Sequence, residues 1–283
     1  MASPFTRIFS DLHYGDRSST LRELASLRPL LDGPDRVIFN GDTLDTRPSR
    51  HPERVAELRG SVLDFVQHHA PPATLITGNH DPDISDVHAL ELAEGEVLVS
   101  HGDVIFDDLV PWSRDAAQMG RLMREALATF SETERATLAA RLRAMRRAAA
   151  QIPQRHHTES DALKHAIGLF TDMCWPPTRV LRVVQAWRDT PRLAAALLAQ
   201  HRPAARVFVM GHTHRAGVRQ IGDGKWLINT GAFCPPTRAC VVDVSAEKLV
   251  VREVERRRGA YRIGSTRAEF SLAAEPATVT LAA

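Results

Sequence analysis

Along the chain the apolar positions change period several times, and each change predicts an element. Phe5 to Ser10 and Arg36 to Asn40 are short runs rich in β-branched and aromatic residues, as is Ala73 to Thr77; they read as buried strands. Leu21, Leu24, Leu27 and Leu30 fall at helical spacing and predict a helix over Thr20 to Leu30. Val55, Leu58, Val62, Phe65 and Val66 predict another over Pro52 to His69. Strand, helix, strand, helix, strand indicates an α/β layered sheet. Val87 to Leu92 and Val97 to Ser100 form a strand pair around Glu94-Gly95.

After Pro111 the character changes. No convincing strand lies between Ser113 and Arg202; the spacing predicts helices over Ala116 to Phe130, Glu132 to Ala150, Ser160 to Cys174, and Pro177 to His201, the last broken near Pro191. Strands return at Arg206 to Met210, Gly217 to Ile221, Lys225 to Thr230, Ala239 to Val244 and Lys248 to Glu255. The organisation expected is a core of residues 1–112 and 203–265, a helical insertion or lid over 113–202, and a loosely attached tail over 266–283, where periodicity fades.

Composition narrows the class. The 283 residues are 43% hydrophobic and 25% charged, enough for a sizeable globular core. A net charge of only +2 argues against a whole-molecule polyanion binder, so nucleic acid is not an expected partner. Cys174, Cys234 and Cys240 form no paired framework, which points to a reducing compartment. Phe5 to Ser10 reads as a strand with no apolar signal region ahead of it, and Leu193 to Ala199 is too short to span a bilayer. A cytoplasmic protein is expected, with room for peripheral contact at the inner membrane.

The chemistry gathers at strand ends. The predicted strands run into Asp11-Leu12-His13, Gly41-Asp42, Gly78-Asn79-His80-Asp81, His101-Gly102-Asp103 and Gly211-His212-Thr213-His214. Ligands of α/β sheets bind outside the carboxyl ends of strands. Asp11 and His13 are two apart in what reads as extended chain, as are His212 and His214, so each pair is expected to point to one side. Seven candidate ligands, Asp11, His13, Asp42, Asn79, His101, His212 and His214, exceed one tetrahedral site and suit two divalent metal ions, with Asp42 as the shared carboxylate. Two such cations beside two carboxylates and neutral imidazoles leave about two positive charges, which suits a bridging hydroxide and a phosphate ester. His80 then suits a proton donor and Asp81 its orienter.

Together these five blocks, in this order, resemble the signature of the calcineurin-like metallophosphoesterases over about residues 5–112 and 203–255. The resemblance implies two packed mixed β-sheets flanked by helices, here with a helical insertion. It implies one metal held by Asp11, His13, Asp42 and His214, and a second by Asp42, Asn79, His101 and His212. Manganese is expected first, and iron or zinc also accept such N/O ligands. It further implies hydrolysis of a phosphoester, phosphodiesterase or phosphatase in type, with a metal-bridging hydroxide as nucleophile. His80 would be the general acid or transition-state stabiliser, oriented by Asp81.

The insertion carries the substrate question. It holds 15 Lys+Arg against 8 Asp+Glu, with Arg141, Arg143, Arg146 and Arg147 clustered beside a stripe of Leu138, Leu142 and Met145. This is either a solvated basic face over a packed stripe, or a lid whose arginines bind phosphate over a nucleotide or lipid moiety. A helical insertion here is similar to that of the bacterial UDP-2,3-diacylglucosamine pyrophosphohydrolases, which act on a nucleotide-linked lipid. His80 stands where that family has arginine and matches the superfamily's ordinary phosphodiesterases and phosphatases. The resemblance is also compatible with a nuclease or with a non-catalytic binding scaffold.

Overall fold

The computed structural model describes residues 3–108, 110–154, 178–272 and 279–281. The chain begins β1 (Phe5–Phe9), α1 (Arg28–Leu31), β2 (Arg36–Asn40), α2 (Pro52–His69), β3 (Ala73–Ile76), β4 (Ala89–Leu92) and β5 (Val97–Ser100). Among the described residues four helices follow: α3 (Ala116–Ala128), α4 (Glu132–Arg135), α5 (Leu138–Ala149) and α6 (Thr178–His201). Then come β6 (Val207–Met210), β7 (Gly217–Gly222), β8 (Lys225–Asn229), β9 (Cys240–Ser245), β10 (Lys248–Arg257), β11 (Ala260–Ser271) and β12 (Val279–Leu281).

These strands make two mixed sheets, ordered β12-β11-β10-β9-β1-β2-β3 and β4-β5-β6-β8-β7. β1, β2 and β3 run parallel, with Ile8 beside Ile38 and Phe39 beside Leu75, and β5 runs parallel to β6. Parallel neighbours bring their carboxyl ends to one edge, so the loops after β1, β2 and β3 emerge together, as do those after β5 and β6.

Side chains alternate across the strands, and both faces are apolar, as expected of strands covered on both sides. Ile8, Ile38, Ile76, Val97, Val99, Val207 and Val209 fill the space between the sheets. Phe9, Val37 and Phe39 face the other way, onto Leu27, Leu30, Val62 and Phe65. Leu98, Phe208, Met210 and Leu227 face outward from the smaller sheet onto Met119, Met123, Ala144, Met145, Ala194 and Leu198 of α3, α5 and α6. The helices between β5 and β6 thus form a packed outer layer on the smaller sheet. Each fully buried Val, Leu, Ile, Met or Phe among them contributes about 1.5–3 kcal/mol.

Several elements differ from expectation, each for a local reason. The helix expected over Thr20 to Leu30 is confined to a 3-10 turn at Leu24–Leu27 and α1. Upstream, the Thr20 N–H and hydroxyl both donate to the Phe233 carbonyl, and Ser19 Oγ accepts from the Leu21 N–H. The Thr20 groups are spent on a tertiary partner and the Leu21 N–H on a local turn. The helix expected over Glu132 to Ala150 splits because Thr137 caps a new start, its hydroxyl accepting from the Ala140 N–H. α6 continues through Pro191 instead of breaking. Ala186, Thr190, Ala194, Leu197 and Leu198 are buried on both sides of the proline, and that packing offsets a penalty of about 3 kcal/mol. Past residue 265 the described chain stays paired, unlike the loose tail expected: β11 runs to Ser271 along β10, and β12 pairs with β11. The helix expected over Ser160 to Cys174 lies outside the described residues.

Candidate metal centre

Five of the seven expected ligands sit in left-handed backbone. Asp11, His13, Asp42, His212 and His214 have φ between 47° and 64°. This corrects the expectation that Asp11/His13 and His212/His214 lie in extended chain: each pair falls just past its strand, in successive tight turns. Such conformations cost about 1–2 kcal/mol per residue for side chains with a Cβ and persist only where surroundings over-determine them. Here cross-strand bonds do so. The Asp11 N–H donates to the Gly41 carbonyl at 3.1 Å, His13 N–H to the Asp42 carbonyl at 3.0 Å, and Gly211 N–H to the His101 carbonyl at 2.9 Å. The loops also approach too closely for any side chain at two glycines. A Cβ on Gly78 would fall on the Asp42 carboxylate, and one on Gly211 on the Asp11 carboxylate and Ser10 hydroxyl.

The side chains converge in two linked sets. In one, His214 Nε2 lies 3.1 Å from Asp11 Oδ1 and 3.2 Å from His13 Nε2. His13 Nε2 is also 3.8 Å from Asp42 Oδ2. In the other, His101 Nε2 lies 3.3 Å from Asp42 Oδ2 and 3.2 Å from Asn79 Oδ1, which is 2.8 Å from His212 Nδ1. His101 donates through Nδ1 to the Asn40 carbonyl at 3.1 Å, which aims its Nε2 inward. Asp11 is steered likewise: Ser10 Oγ donates to its Oδ2, leaving Oδ1 toward the histidines. All seven residues expected as ligands are brought together.

Electrostatics follow from this crowding. Burial raises the carboxyl of Asp42, but His101 and His80 outweigh it and hold it well below the usual range. Asp11 is lowered in the same way, burial being outweighed by the His214 hydrogen bond. Burial opposes the charged form of His101, yet the adjacent Asp42 lifts it well above the ordinary imidazole. His13 is pushed by burial down to about 4. Ionised Asp11 and Asp42 favour positive charge beside them, here a proton on His101, and a cation bound there would displace that proton. Three overlapping groups, Asp11/His13/His214, His13/Asp42/His80 and Asp11/Asp42/His101, each bring ligand atoms within 4.8 Å of one another. This N/O donor set could hold divalent cations.

Asp81 and His80 part company. The buried Asp81 carboxylate accepts three backbone N–H bonds, from Gly78 at 2.8 Å, Asp42 at 2.9 Å and Thr43 at 2.7 Å. It braces the loops that carry Asp42 and Asn79. The expected orienting role toward His80 falls instead to Asp45, whose Oδ2 is 3.0 Å from His80 Nδ1. Arg47 grips Asp45 with Nε at 3.0 Å and its terminal nitrogen at 2.6 Å, and that terminal nitrogen lies 2.9 Å from His80 Nδ1. Burial would raise Asp45, but Arg47 and His80 hold it below the usual carboxylate range. Burial, then the Asp42 charge, push Asp81 up to about 7. Asp103 accepts from the Val104 N–H at 3.0 Å and is raised by burial to about 6.

The residues between β5 and β6 reach this centre at several points. Gln154 donates from its side chain to the Asp45 carbonyl at 2.7 Å and from its backbone to Pro48 at 2.8 Å. Trp187 of α6 donates its indole N–H to the Thr213 carbonyl at 2.9 Å. Trp112 and Phe106 lie 5.4 and 5.7 Å from the His212 ring. The basic cluster faces elsewhere. Arg141 bonds the Val104 and Phe106 carbonyls and Asp107, Arg146 bonds Asp86, and Arg143 and Arg147 stack on Phe130. Asp45 and Arg47 escape sequence reading because no strand end or periodicity marks them; a second acid three residues past Asp42 was the available sign.

A comparison with curated proteins finds no match. Among solved structures, a dimetal phosphatase from Danio rerio is 13% identical with a TM-score of 0.44, over 93% of this chain and 99% of that one. A Streptococcus pneumoniae protein described as a predicted phosphoesterase is 13% identical, TM-score 0.35, covering 96% and 99%. Vacuolar protein sorting 29 from Cryptosporidium parvum is 13% identical, TM-score 0.39, covering 95% and 98%. Residues 7–140, somewhat under half of the chain, match the family model of the calcineurin-like phosphoesterases, and over that stretch the chain is similar to that family.

Proposed function

We propose that this protein is a binuclear metal-dependent hydrolase of phosphoester bonds. The observation that carries the reading is the meeting of five strand-end blocks, with His13 and His214 in contact across 201 positions of sequence. Asp11, His13, Asp42 and His214 would hold one cation, and Asp42, Asn79, His101 and His212 the other. When bound, the two cations supply charge against the phosphoryl oxygens and lower the pKa of water. Manganese is the first choice for these N/O donors. The two described cysteines are free thiols, which supports a reducing, cytoplasmic setting.

His80 is assigned the proton donor or stabiliser of the leaving oxygen. Asp45 accepts from its Nδ1 and so fixes the orientation of the ring, and Arg47 in turn holds Asp45. Asp81 keeps the Asp42 and Asn79 loops in register. The burial of Asp11, Asp42 and His101 excludes water from their flanks, which strengthens every charge interaction there. The test is turnover of bis(p-nitrophenyl) phosphate after manganese reconstitution. His80→Ala should retain metal and lose about 10²–10⁴-fold in rate. Asp42→Asn should lower metal content at both positions. Unchanged turnover in His80→Ala removes that residue from the chemistry, and an inactive wild type with full metal content removes the hydrolase reading.

A further inference from the structure

The rim of the centre is uneven. Asp11, Asp42, Asn79, His101 and His212 are buried, whereas the His80 and His214 side chains remain partly open, at 23% and 32% exposure. Beside His80 the rim is charged, with Asp45 and Arg47. Beside His212 it is aromatic. The His101 and His212 rings meet edge to face at 5.2 Å, Trp112 lies 5.4 Å beyond His212 at a 42° tilt, and Phe106 closes the group 6.0 Å from Trp112. Phe106 is buried and belongs to the outer core, while Trp112 is only half-buried and packs on that core from outside. An aromatic row thus leads from Asp42 through His101 and His212 to a half-buried indole.

We infer that Trp112 forms a subsite for a flat aromatic or heterocyclic substituent on the phosphoester, and so sets specificity. The proposal rests on the phosphoester reading above. Among the described residues, Trp112 and Phe106 give the Asp42 cluster an aromatic flank beside His212, and of the two only Trp112 is partly exposed. Flat rings gain from offset or edge-to-face contact with an indole beyond the area they bury. A long alkyl chain gains only burial.

Direct binding separates this from mere support of His212. Phenylphosphonate, methylphosphonate and hexylphosphonate are titrated into the manganese-loaded protein by calorimetry, with Trp112→Ala and Trp112→Phe alongside. The wild type should bind phenylphosphonate about tenfold more tightly than methylphosphonate, and more tightly than hexylphosphonate. Trp112→Ala should bring the phenyl-to-methyl ratio to about one with methylphosphonate affinity unchanged, and Trp112→Phe should keep most of the preference. A ratio that survives in Trp112→Ala overturns the proposal. So does equal weakening of all three ligands, or a wild-type preference for hexylphosphonate. If no phosphonate binds the metal-loaded wild type, the phosphoester reading itself fails; if all bind without a phenyl preference, only the subsite fails.

Discussion

Asp81→Asn is the most informative single change, because it separates bracing a loop from orienting His80. Oδ1 of Asp81 accepts from the Gly78 and Asp42 N–H groups, and Oδ2 from the Thr43 N–H. An asparagine can keep its carbonyl in the Oδ1 position and retain two of these bonds. Its amide then points a donor at the Thr43 donor, and one buried N–H is left without a partner. Such a loss costs about 1–3 kcal/mol. In a chain of this size each kcal/mol moves Tm by about 2 °C, so a fall of roughly 2–6 °C is expected. Asp81→Ala removes both acceptor oxygens and all three bonds and should cost on the order of 3–5 kcal/mol, with entering water repaying part of the loss. The assay is urea unfolding of both variants, with metal content by elemental analysis. Metal content should fall with stability, because the Asp42 and Asn79 loops lose their common anchor. Asp45→Asn should differ in leaving metal content nearly intact while lowering turnover, although it also costs stability by taking the charge from the buried Arg47 pair. If Asp81→Asn unfolds within about 0.5 kcal/mol of wild type yet turns over slowly, the bracing argument is wrong and Asp81 acts on the chemistry.

Three further outcomes are expected. Gly78→Ala should express as a folded protein with depleted metal, since the added Cβ meets the Asp42 carboxylate; full metal content by elemental analysis would contradict this. Asp243→Ala should cost about 3–5 kcal/mol in urea unfolding, because it strands the buried Arg7 guanidinium, which now bonds Asp243 at 2.7 and 2.9 Å; a loss under about 1 kcal/mol would count against it. Cys234 is buried and its thiol is pushed up to about 12, chiefly by burial. At pH 8 its thiolate fraction is roughly 10³-fold below that of a free cysteine, so iodoacetamide should label it slowly until urea unfolds the chain. Peptide mapping that finds Cys234 modified in the native protein as fast as after unfolding would refute that.

The strands that build the site were legible because their local signals agree with their final surroundings. β1, β2, β5 and β6 are apolar on both faces, and in the fold both faces are covered. α2 begins at Pro52 and ends at His69 as its spacing predicts, since a proline suits the first turn and the apolar stripe has one sheet to face. The five polar blocks were readable for the same reason: each directly follows a strand whose end is well marked. What escaped was decided by partners far away in sequence. β11 hid its period because register shifts near Val251 to Val254 of β10 break the alternation between Tyr261 and Ile263 on one side and Ala268 and Phe270 on the other. The arginines of α5 looked free in the sequence, yet Asp86, Asp107, Phe130 and the Val104 and Phe106 carbonyls claim them. Asp45 and Asp81 are both acids near the site, and composition does not rank them. Backbone N–H groups of the neighbouring loops take up both oxygens of Asp81, while the turn through Arg47 holds Asp45 against His80. Local sequence sets which residues stand at a strand end; which hydrogen bonds those residues spend is settled only when distant loops meet.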